Sequence, residues 1–213
     1  MFKKVYNLLL DLLFPLYCCG CSKEGELLCQ TCLQKLKAEL PLVEINPTPH
    51  VDQVIIFCNF RHELISSTIH AFKYGGITSL ASIYASLMAE NMPLQIDHAA
   101  ALVPIPLHRL KRNARGYNQS ELISVAAARR WAMPLDTNLI RARHTRVQAR
   151  LKRQERFTNV ADAFRYAGTA PAKTAYLIDD LTTTGATLEA AAVELKKNGY
   201  ETVIALVLAK NEQ

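Results

Sequence analysis

One segment constrains the fold of this chain more than any other: an apolar run that ends in two acids, a threonine-rich loop and a helix start. It reads Ala-Tyr-Leu-Ile-Asp-Asp-Leu-Thr-Thr-Thr-Gly-Ala-Thr from Ala175 to Thr187. Unbroken apolar runs are typical of parallel strands covered on both faces. Ligands of open α/β sheets bind beyond the carboxyl ends of the strands, where Asp179 and Asp180 are expected. The segment therefore predicts an α/β fold with a ligand site at this loop.

The rest of the chain alternates apolar runs with helical patterns, as an α/β domain should. Its 213 residues are 50% hydrophobic and 21% charged, which excludes a disordered, collagen-like or long coiled-coil protein. Strands are predicted at residues 54–60, 100–105, 174–178 and 202–208. Helices are predicted at residues 62–72, 78–90, 118–131 and 187–198, where apolar residues recur at spacings of three and four. Three prolines between residues 41 and 49 mark a linker, so residues 1–40 and 50–213 are predicted to be separate units.

The loop after the acid pair has the chemistry of a phosphate site. Hydroxyls and unpaired amides at a helix N-terminus favour an anion, and the loop supplies both from Thr183, Thr184, Gly185, Ala186 and Thr187. Two adjacent carboxylates beside a phosphate need hydroxyl donors or a cation to offset their charge. A phosphorylated ribose with Mg²⁺ meets both requirements. The alternative is a turn in which Asp179 and Asp180 only cap and Thr183 starts the helix.

Four cysteines form two C-x2-C pairs separated by seven residues: Cys18, Cys21, Cys29 and Cys32. Two such pairs are the pattern of a closed, structural four-thiolate Zn²⁺ site. Disulfides are the alternative, but they require an oxidising compartment that no feature of the chain indicates. Cys19 could replace Cys18 only with a less regular spacing, and Cys58 is expected to be buried in a strand.

Positive charge is concentrated in the middle of the chain. The net charge is +6, yet residues 109–156 alone carry thirteen Lys or Arg against three Asp or Glu. Such a stretch attracts the phosphates of a nucleic acid or of a phosphorylated metabolite. Rings interleaved with this charge suit the stacking of single-stranded DNA bases: Tyr117, Trp131 and Phe157. A solvated helix face is the alternative for Arg129, Arg130, Arg141 and Arg143.

The beginning of the chain has two lysines followed by an apolar run over residues 5–17. A secretory signal or a membrane anchor would have this outline, but Asn7 and Asp11 interrupt the run and no small-residue cleavage site follows. The run is also shorter than the roughly 20 residues that span a bilayer. We predict a short amphipathic helix that ends at Pro15, no transmembrane segment and a cytoplasmic protein.

The segment Ala175 to Thr187 resembles the phosphoribosyl-pyrophosphate (PRPP) motif of type I phosphoribosyltransferases. Further segments, in order and over nearly the whole chain, resemble the ComF family. They are Leu16-Tyr17-Cys18 with the cysteine knuckle, His70-Ala71-Phe72-Lys73-Tyr74, Val103-Pro104-Ile105-Pro106-Leu107 through Arg115-Gly116-Tyr117-Asn118-Gln119, and Gln148 through Arg156 and Asn159 to Ala163-Phe164.

The resemblance implies a type I phosphoribosyltransferase-like parallel sheet flanked by helices, with a small N-terminal four-cysteine zinc knuckle. It implies that Asp179 and Asp180 bind the ribose 2′ and 3′ hydroxyls, with Mg²⁺, and that the threonine loop binds the 5′-phosphate. Residues 143–156 would be the hood that closes over PRPP. Candidate contacts to pyrophosphate or to a DNA backbone are Arg109, Lys111, Arg112, Arg115, Arg150, Lys152, Arg153 and Arg156.

Members of the ComF family are linked to natural competence, so the resemblance implies a role in the uptake and handling of single-stranded DNA. A competence helicase and a membrane DNA channel would be its protein partners. One alternative is a metabolic phosphoribosyltransferase of nucleobase salvage. Another is a non-catalytic sensor in which PRPP or a nucleotide tunes binding of DNA or a partner. Lys73 is expected to be a packing or surface residue, with a phosphate contact as its alternative role.

Overall fold

The computed structural model describes residues 15–38, 40, 43–45, 48–142 and 163–211. The predicted N-terminal helix and hood lie outside these residues. The strands are β1 (Val43–Ile45), β2 (Gln53–Asn59), β3 (Ala101–Pro104), β4 (Leu139–Arg141), β5 (Phe164–Tyr166), β6 (Thr174–Thr182) and β7 (Thr202–Lys210). The helices are α1 (Gln30–Ala38), α2 (Glu63–Tyr74), α3 (Leu80–Glu90), α4 (Arg109–Arg115), α5 (Gln119–Trp131) and α6 (Ala186–Lys197).

The main sheet has five strands in the order β1, β2, β7, β6, β3. β2, β7, β6 and β3 pair in parallel, and β1 pairs antiparallel to β2. This arrangement confirms the predicted α/β fold with a parallel sheet. The four predicted strands and four predicted helices are present, and their bounds agree within two residues except at the end of β6. There the strand runs on to Thr182, because its pairing with β7 continues as far as Thr182 and Lys210.

Helices cover both faces of the main sheet, which explains why its strands are apolar without alternation. On one face, α2, α3 and α5 share a hydrophobic cluster with Tyr176 and Ile178 of β6. On the other face, α6 packs against Ala175 and Leu177 of the same strand. The side chains of β6 therefore alternate between two cores, and the strand is buried from Ala175 to Asp180.

The cysteine-rich segment packs against the first of these two cores. Cys18, Cys32 and Leu36 share a cluster with Leu64 of α2 and Cys58 of β2. β1 lies within the predicted linker, where three residues between flanking prolines pair with the edge of β2. The division of the chain into units at residues 1–40 and 50–213 stays a prediction.

Three further elements, β4, β5 and α4, are absent from the sequence-based prediction. β4 and β5 form a separate antiparallel pair, and their buried Leu139 and Phe164 join the cluster of α6. α4 is a seven-residue helix with no buried side chain. Among the helices in the described ranges, none is both long and apolar enough to cross a membrane.

Candidate functional site

The acid pair lies within β6, at a point where one edge of that strand becomes open. β3 pairs with β6 only as far as Pro104 and Ile178, and the N–H of Ile105 then donates to the carbonyl of Ile178 at 2.9 Å. β6 continues for four more residues beside β7. Asp179 and Asp180 therefore occupy the extended end of a strand, and the loops that follow β3 and β6 leave the sheet at the same edge.

Both carboxylates are buried, with Asp179 9% and Asp180 7% exposed. Oδ1 of Asp179 accepts hydrogen bonds from the Ser120 hydroxyl at 3.0 Å and from the Asp180 N–H at 2.9 Å. Oδ2 of Asp180 lies 3.1 Å from Nζ of Lys73, as an ion pair. Burial and the neighbouring Asp180 charge raise the pKa of Asp179 to about 7, although Lys73 and Ser120 oppose that rise. The site thus holds two acids and one ammonium, largely withdrawn from water.

The threonine loop follows directly and ends at the N-terminus of α6. Gly185 has φ of 77°, a left-handed conformation that glycine adopts without a Cβ clash. The Thr184 hydroxyl accepts a hydrogen bond from the Ala186 N–H at 3.4 Å. Thr183 is exposed, whereas Thr184 and Thr187 are half-buried. The loop brings hydroxyls and helix N-terminal amides to the edge of the sheet that carries the acid pair, as phosphate binding requires.

Four of the predicted cationic residues lie on α4, between β3 and α5: Arg109, Lys111, Arg112 and Arg115. Loss of solvation lowers the pKa of Lys111, and the positive charges of Arg141, Arg115 and Lys73 lower it further. Arg112 forms an ion pair with Glu121 at 3.1 Å. The remaining candidates lie outside the described residues: Arg150, Lys152, Arg153 and Arg156. Lys111 and Arg115 therefore belong to a group of interacting cations that also includes Lys73, the partner of Asp180.

The structure brings three further residues to the acid pair: Lys73, Ser120 and Arg141. The guanidinium of Arg141, on β4, lies 5.4 Å from the centre of the Phe164 ring and interacts with the charge of Asp179. Arg129 and Arg130 are exposed, as a solvated helix face requires, but Arg141 is half-buried in a strand. The sequence indicates Lys73 by its place in the segment from His70 to Tyr74, with a phosphate contact as the alternative to a packing or surface role, and it indicates no site role for Ser120.

The rings singled out in the basic stretch do not form an exposed platform in the described structure. Trp131 is buried, and the half-buried Tyr117 donates its hydroxyl to the Phe72 carbonyl at 2.5 Å. Phe157 lies outside the described residues. Tyr74 is exposed instead, at 71%, and the Arg115 guanidinium lies 5.2 Å from the centre of its ring.

The four cysteine sulfurs lie within 4.8 Å of one another: Cys18, Cys21, Cys29 and Cys32. A tetrahedral site with Zn–S bonds of about 2.3 Å has edges of about 3.8 Å, so this donor set fits a closed structural metal site. The structure has all six cysteines as free thiols. Burial opposes ionisation of Cys18, but hydrogen bonds from the N–H groups of Cys29, Gly20 and Cys21 outweigh it and lower its pKa to about 6.

Individual known proteins are similar to this chain, although no protein-family model matches it. "Competence protein F" of Haemophilus influenzae is 30% identical over 206 residues, which cover 92% of this chain and 85% of that protein. "Competence protein ComFC" of Bacillus subtilis is 32% identical over 142 residues, which cover 65% of this chain and 56% of that protein. "DNA utilization protein YhgH" of Escherichia coli K12 is 26% identical over 197 residues, which cover 87% and 85%.

The similarity to the protein from Haemophilus influenzae spans the cysteine cluster as well as the sheet, since only 8% of this chain lies outside it. At this identity over nearly the full length, the two proteins are related along the whole chain and not only in one motif. The chain therefore belongs to the ComF family.

Proposed function

We propose that this protein binds a phosphorylated ribose, PRPP in particular, and acts in the uptake and use of DNA during natural competence. One observation carries the ribose site: a buried pair of acids at the open end of β6, followed at once by the loop of Gly185 and the N-terminus of α6. The names of the relatives, which refer to competence and to DNA utilisation, support the biological role. We place this activity in the cytoplasm, on single-stranded DNA.

In the proposed complex, Asp179 and Asp180 accept hydrogen bonds from the ribose 2′ and 3′ hydroxyls. Carboxylates only accept, so a vicinal diol suits two of them side by side. The hydroxyls and amides of the threonine loop hold the 5′-phosphate: Thr183, Thr184, Gly185, Ala186 and Thr187. Lys111 and Arg115 offset the charge of the pyrophosphate, with which Mg²⁺ would enter. Phosphoribosyl transfer at such a site needs no protein nucleophile, because positioning and charge supply the catalysis.

Calorimetric titration with PRPP and Mg²⁺ tests this proposal. We expect micromolar binding by the wild type and its loss in the double variant Asp179→Asn/Asp180→Asn. Asp97→Asn is the matched control, because Asp97 caps a turn through the Ala99 N–H and lies outside the proposed site. Thermal melts establish that each variant is folded. Equal affinity in the double variant and in the control would reject the acid pair as the ribose site.

Binding of single-stranded DNA is a second candidate function, favoured by a column of rings beside α4. The Tyr74 and His70 ring centres are 5.6 Å apart, and His70 stacks on Phe60 at 5.9 Å. The Arg115 guanidinium covers the Tyr74 ring and connects this column to the exposed cations of α4. Exposed rings next to cations are what stacked bases and a phosphate backbone require. We call this area the Tyr74 surface.

The Tyr74 surface is tested by fluorescence anisotropy with a labelled oligothymidylate at two salt concentrations. Removing one stacking ring should weaken binding about tenfold, so we expect that loss from Tyr74→Ala. Arg109→Ala should weaken binding and flatten its salt dependence, because one phosphate contact is lost. Arg129→Ala removes an exposed charge from the far end of α5 and serves as the control. Equal effects of all three variants would contradict a localised surface.

A further inference from the structure

We propose that Lys73 is the resident counter-cation of the acid pair, so that a ribose diol binds to Asp179 and Asp180 without Mg²⁺ on their carboxylates. This inference rests on the proposed function of the acid pair as a ribose site. It differs from the expectation that these two acids hold the Mg²⁺. The juxtaposition that supports it is the contact between Lys73 of α2 and Asp180 of β6.

The charges of the acid pair are buried. Two neighbouring acidic residues, each less than a tenth exposed as a whole residue, are unfavourable unless a positive group is close, because buried charges must be paired. Nζ of Lys73 is 3.1 Å from Oδ2 of Asp180, and the two side chains are only 13% and 11% exposed. The ammonium is thus withdrawn from water together with the carboxylate. The protein already supplies the cation that the acid pair needs.

Packing of the neighbouring Phe72 fixes the backbone from which Lys73 extends. It lies in the last turn of α2, next to the fully buried Phe72. The Phe72 ring packs edge-on against Tyr84 with a centroid distance of 5.4 Å, and the Phe72 carbonyl accepts the Tyr117 hydroxyl. A lysine in the last helical turn is also favoured by the helix dipole. The ammonium therefore reaches Asp180 from a helix end that Phe72 anchors in the core.

A ribose diol suits this arrangement better than a metal ion does. Mg²⁺ bound to the Asp180 carboxylate would lie within a few ångströms of the Lys73 ammonium, which is 3.1 Å from Oδ2 of Asp180, and like charges at that distance in a buried site repel strongly. Ribose hydroxyls are neutral donors, and a carboxylate has the capacity to accept several hydrogen bonds. The arrangement therefore favours a diol over a metal ion. If PRPP binding requires Mg²⁺, we expect the ion to bind the pyrophosphate of PRPP and not the acid pair.

Ribose 5-phosphate separates the two roles because it carries the diol and the phosphate but no pyrophosphate. The experiment is calorimetric titration of the zinc-loaded protein in metal-depleted buffer, with and without about 5 mM Mg²⁺, and without a chelator that would strip a structural metal. We expect the wild-type affinity to change less than about twofold with Mg²⁺. Lys73→Gln should bind about tenfold more weakly without Mg²⁺ and recover when it is added. Lys73→Arg, which keeps the charge, should remain independent of Mg²⁺.

A second measurement does not depend on the ligand. Mn²⁺, followed by electron paramagnetic resonance, should find no site at the acid pair of the wild type. In Lys73→Gln, Mn²⁺ should bind, and the additional change Asp180→Asn should abolish that binding. Thermal melts of each variant show whether it is folded. Lys73→Met, which also removes the charge, takes the place of Lys73→Gln where that variant is unstable, and Lys73→Arg should bind no Mn²⁺.

The outcomes distinguish this inference from the proposed function. Binding of PRPP with Mg²⁺ by the wild type, combined with binding of ribose 5-phosphate only when Mg²⁺ is present, would overturn the role of Lys73 and leave the ribose site intact. The same Mg²⁺ independence in Lys73→Gln as in the wild type would overturn it as well. If the wild type binds neither PRPP nor ribose 5-phosphate, the proposed function is overturned, and this inference with it.

Discussion

The hydroxyl of Ser120, in the first turn of α5, donates a hydrogen bond of 3.0 Å to the carboxylate of Asp179 in β6. Asn118 caps the same helix by accepting from the Ser120 N–H at 3.2 Å, and its side-chain amide donates to the Ile105 carbonyl at 2.9 Å. The start of α5 is thereby tied both to the end of β3 and to the acid pair. The three elements form one polar unit around a carboxyl group that water scarcely reaches.

Because Asp179 is buried in this unit, we expect its ionisation to lower the free energy of unfolding as the pH rises from about 4 to about 7. The ordinary pKa of an aspartate is about 3.9, and burial with the charge of Asp180 raises that of Asp179 to about 7. Between these values the folded protein holds a proton that the unfolded chain has released, so the free energy of unfolding falls with pH. Urea unfolding at pH 5 and pH 7.5 should show this fall, and Asp179→Asn should show a smaller one.

Ser120→Ala tests the same Asp179 carboxyl group by raising its pKa further instead of removing its charge. The hydroxyl stabilises the charged form of Asp179, so its removal should move the pKa higher and extend the loss of stability to higher pH. Identical pH profiles for wild type, Asp179→Asn and Ser120→Ala would contradict the assignment of this dependence to Asp179.

The cysteine cluster predicts about one zinc ion per chain. Cys32 contributes one of the four sulfur atoms and is 4% exposed, within the core shared with α2. We therefore expect Cys32→Ser to lose the metal and to lower Tm by at least about 5 °C. Cys19→Ser is the matched control, since Cys19 is adjacent in sequence but outside the four-sulfur group. Elemental analysis and thermal melts measure both effects. Equal zinc content in the two variants would argue against this ligand set.

Much of the fold could be predicted from the sequence because the buried strands carry an unmistakable pattern. β2, β3 and β7 are nearly continuous apolar runs, and the helices between them have regular apolar spacing. The end of β6 was placed four residues early because Asp179 and Asp180 are polar. Its continuation depends on pairing with β7, a partner more than twenty residues away that no local pattern reveals.

The candidate site was predictable only in part, for the same reason. The acids and the threonine loop are contiguous, so their chemistry can be read from one segment. Lys73 precedes Asp180 by more than a hundred residues, and only the packing of α2 on the sheet brings them together. Arg141 lies in a three-residue strand, which is too short to show a periodicity. Contacts that depend on tertiary packing leave no signal in local spacing.

The backbone at Gly185 predicts a separation of stability from ligand binding. A left-handed conformation is unfavourable by about 1–2 kcal/mol for residues with a Cβ, so Gly185→Ala should be destabilised by roughly that amount and should bind PRPP more weakly. Gly25→Ala is the control, because Gly25 also has a positive φ, 112°, but lies in the cysteine-rich segment. That variant should lose stability and keep its affinity. Urea unfolding and calorimetry give the two quantities, and unchanged PRPP binding in Gly185→Ala would count against the loop as the phosphate site.

Asp136, a further buried aspartate, predicts a measurable contribution of hydrogen bonds to stability. Asp136 is 3% exposed, and its Oδ2 accepts the hydroxyls of Tyr166 and Tyr200 at 2.6 Å each. Tyr166 lies on β5 and Tyr200 lies two residues before the start of β7, so the carboxylate ties the β4 and β5 pair to the main sheet. Hydrogen bonds to a charged group contribute about 1.5–3 kcal/mol, and Tyr200→Phe should lower the free energy of unfolding by that amount. Tyr176→Phe is the matched control, because the Tyr176 hydroxyl accepts from the Asp97 N–H, a neutral donor, at 3.1 Å, and this variant should lose about 1 kcal/mol. Chemical denaturation of the two variants measures the difference; a loss in Tyr200→Phe no greater than in Tyr176→Phe would mean that the carboxylate does not hold the two strands to the sheet.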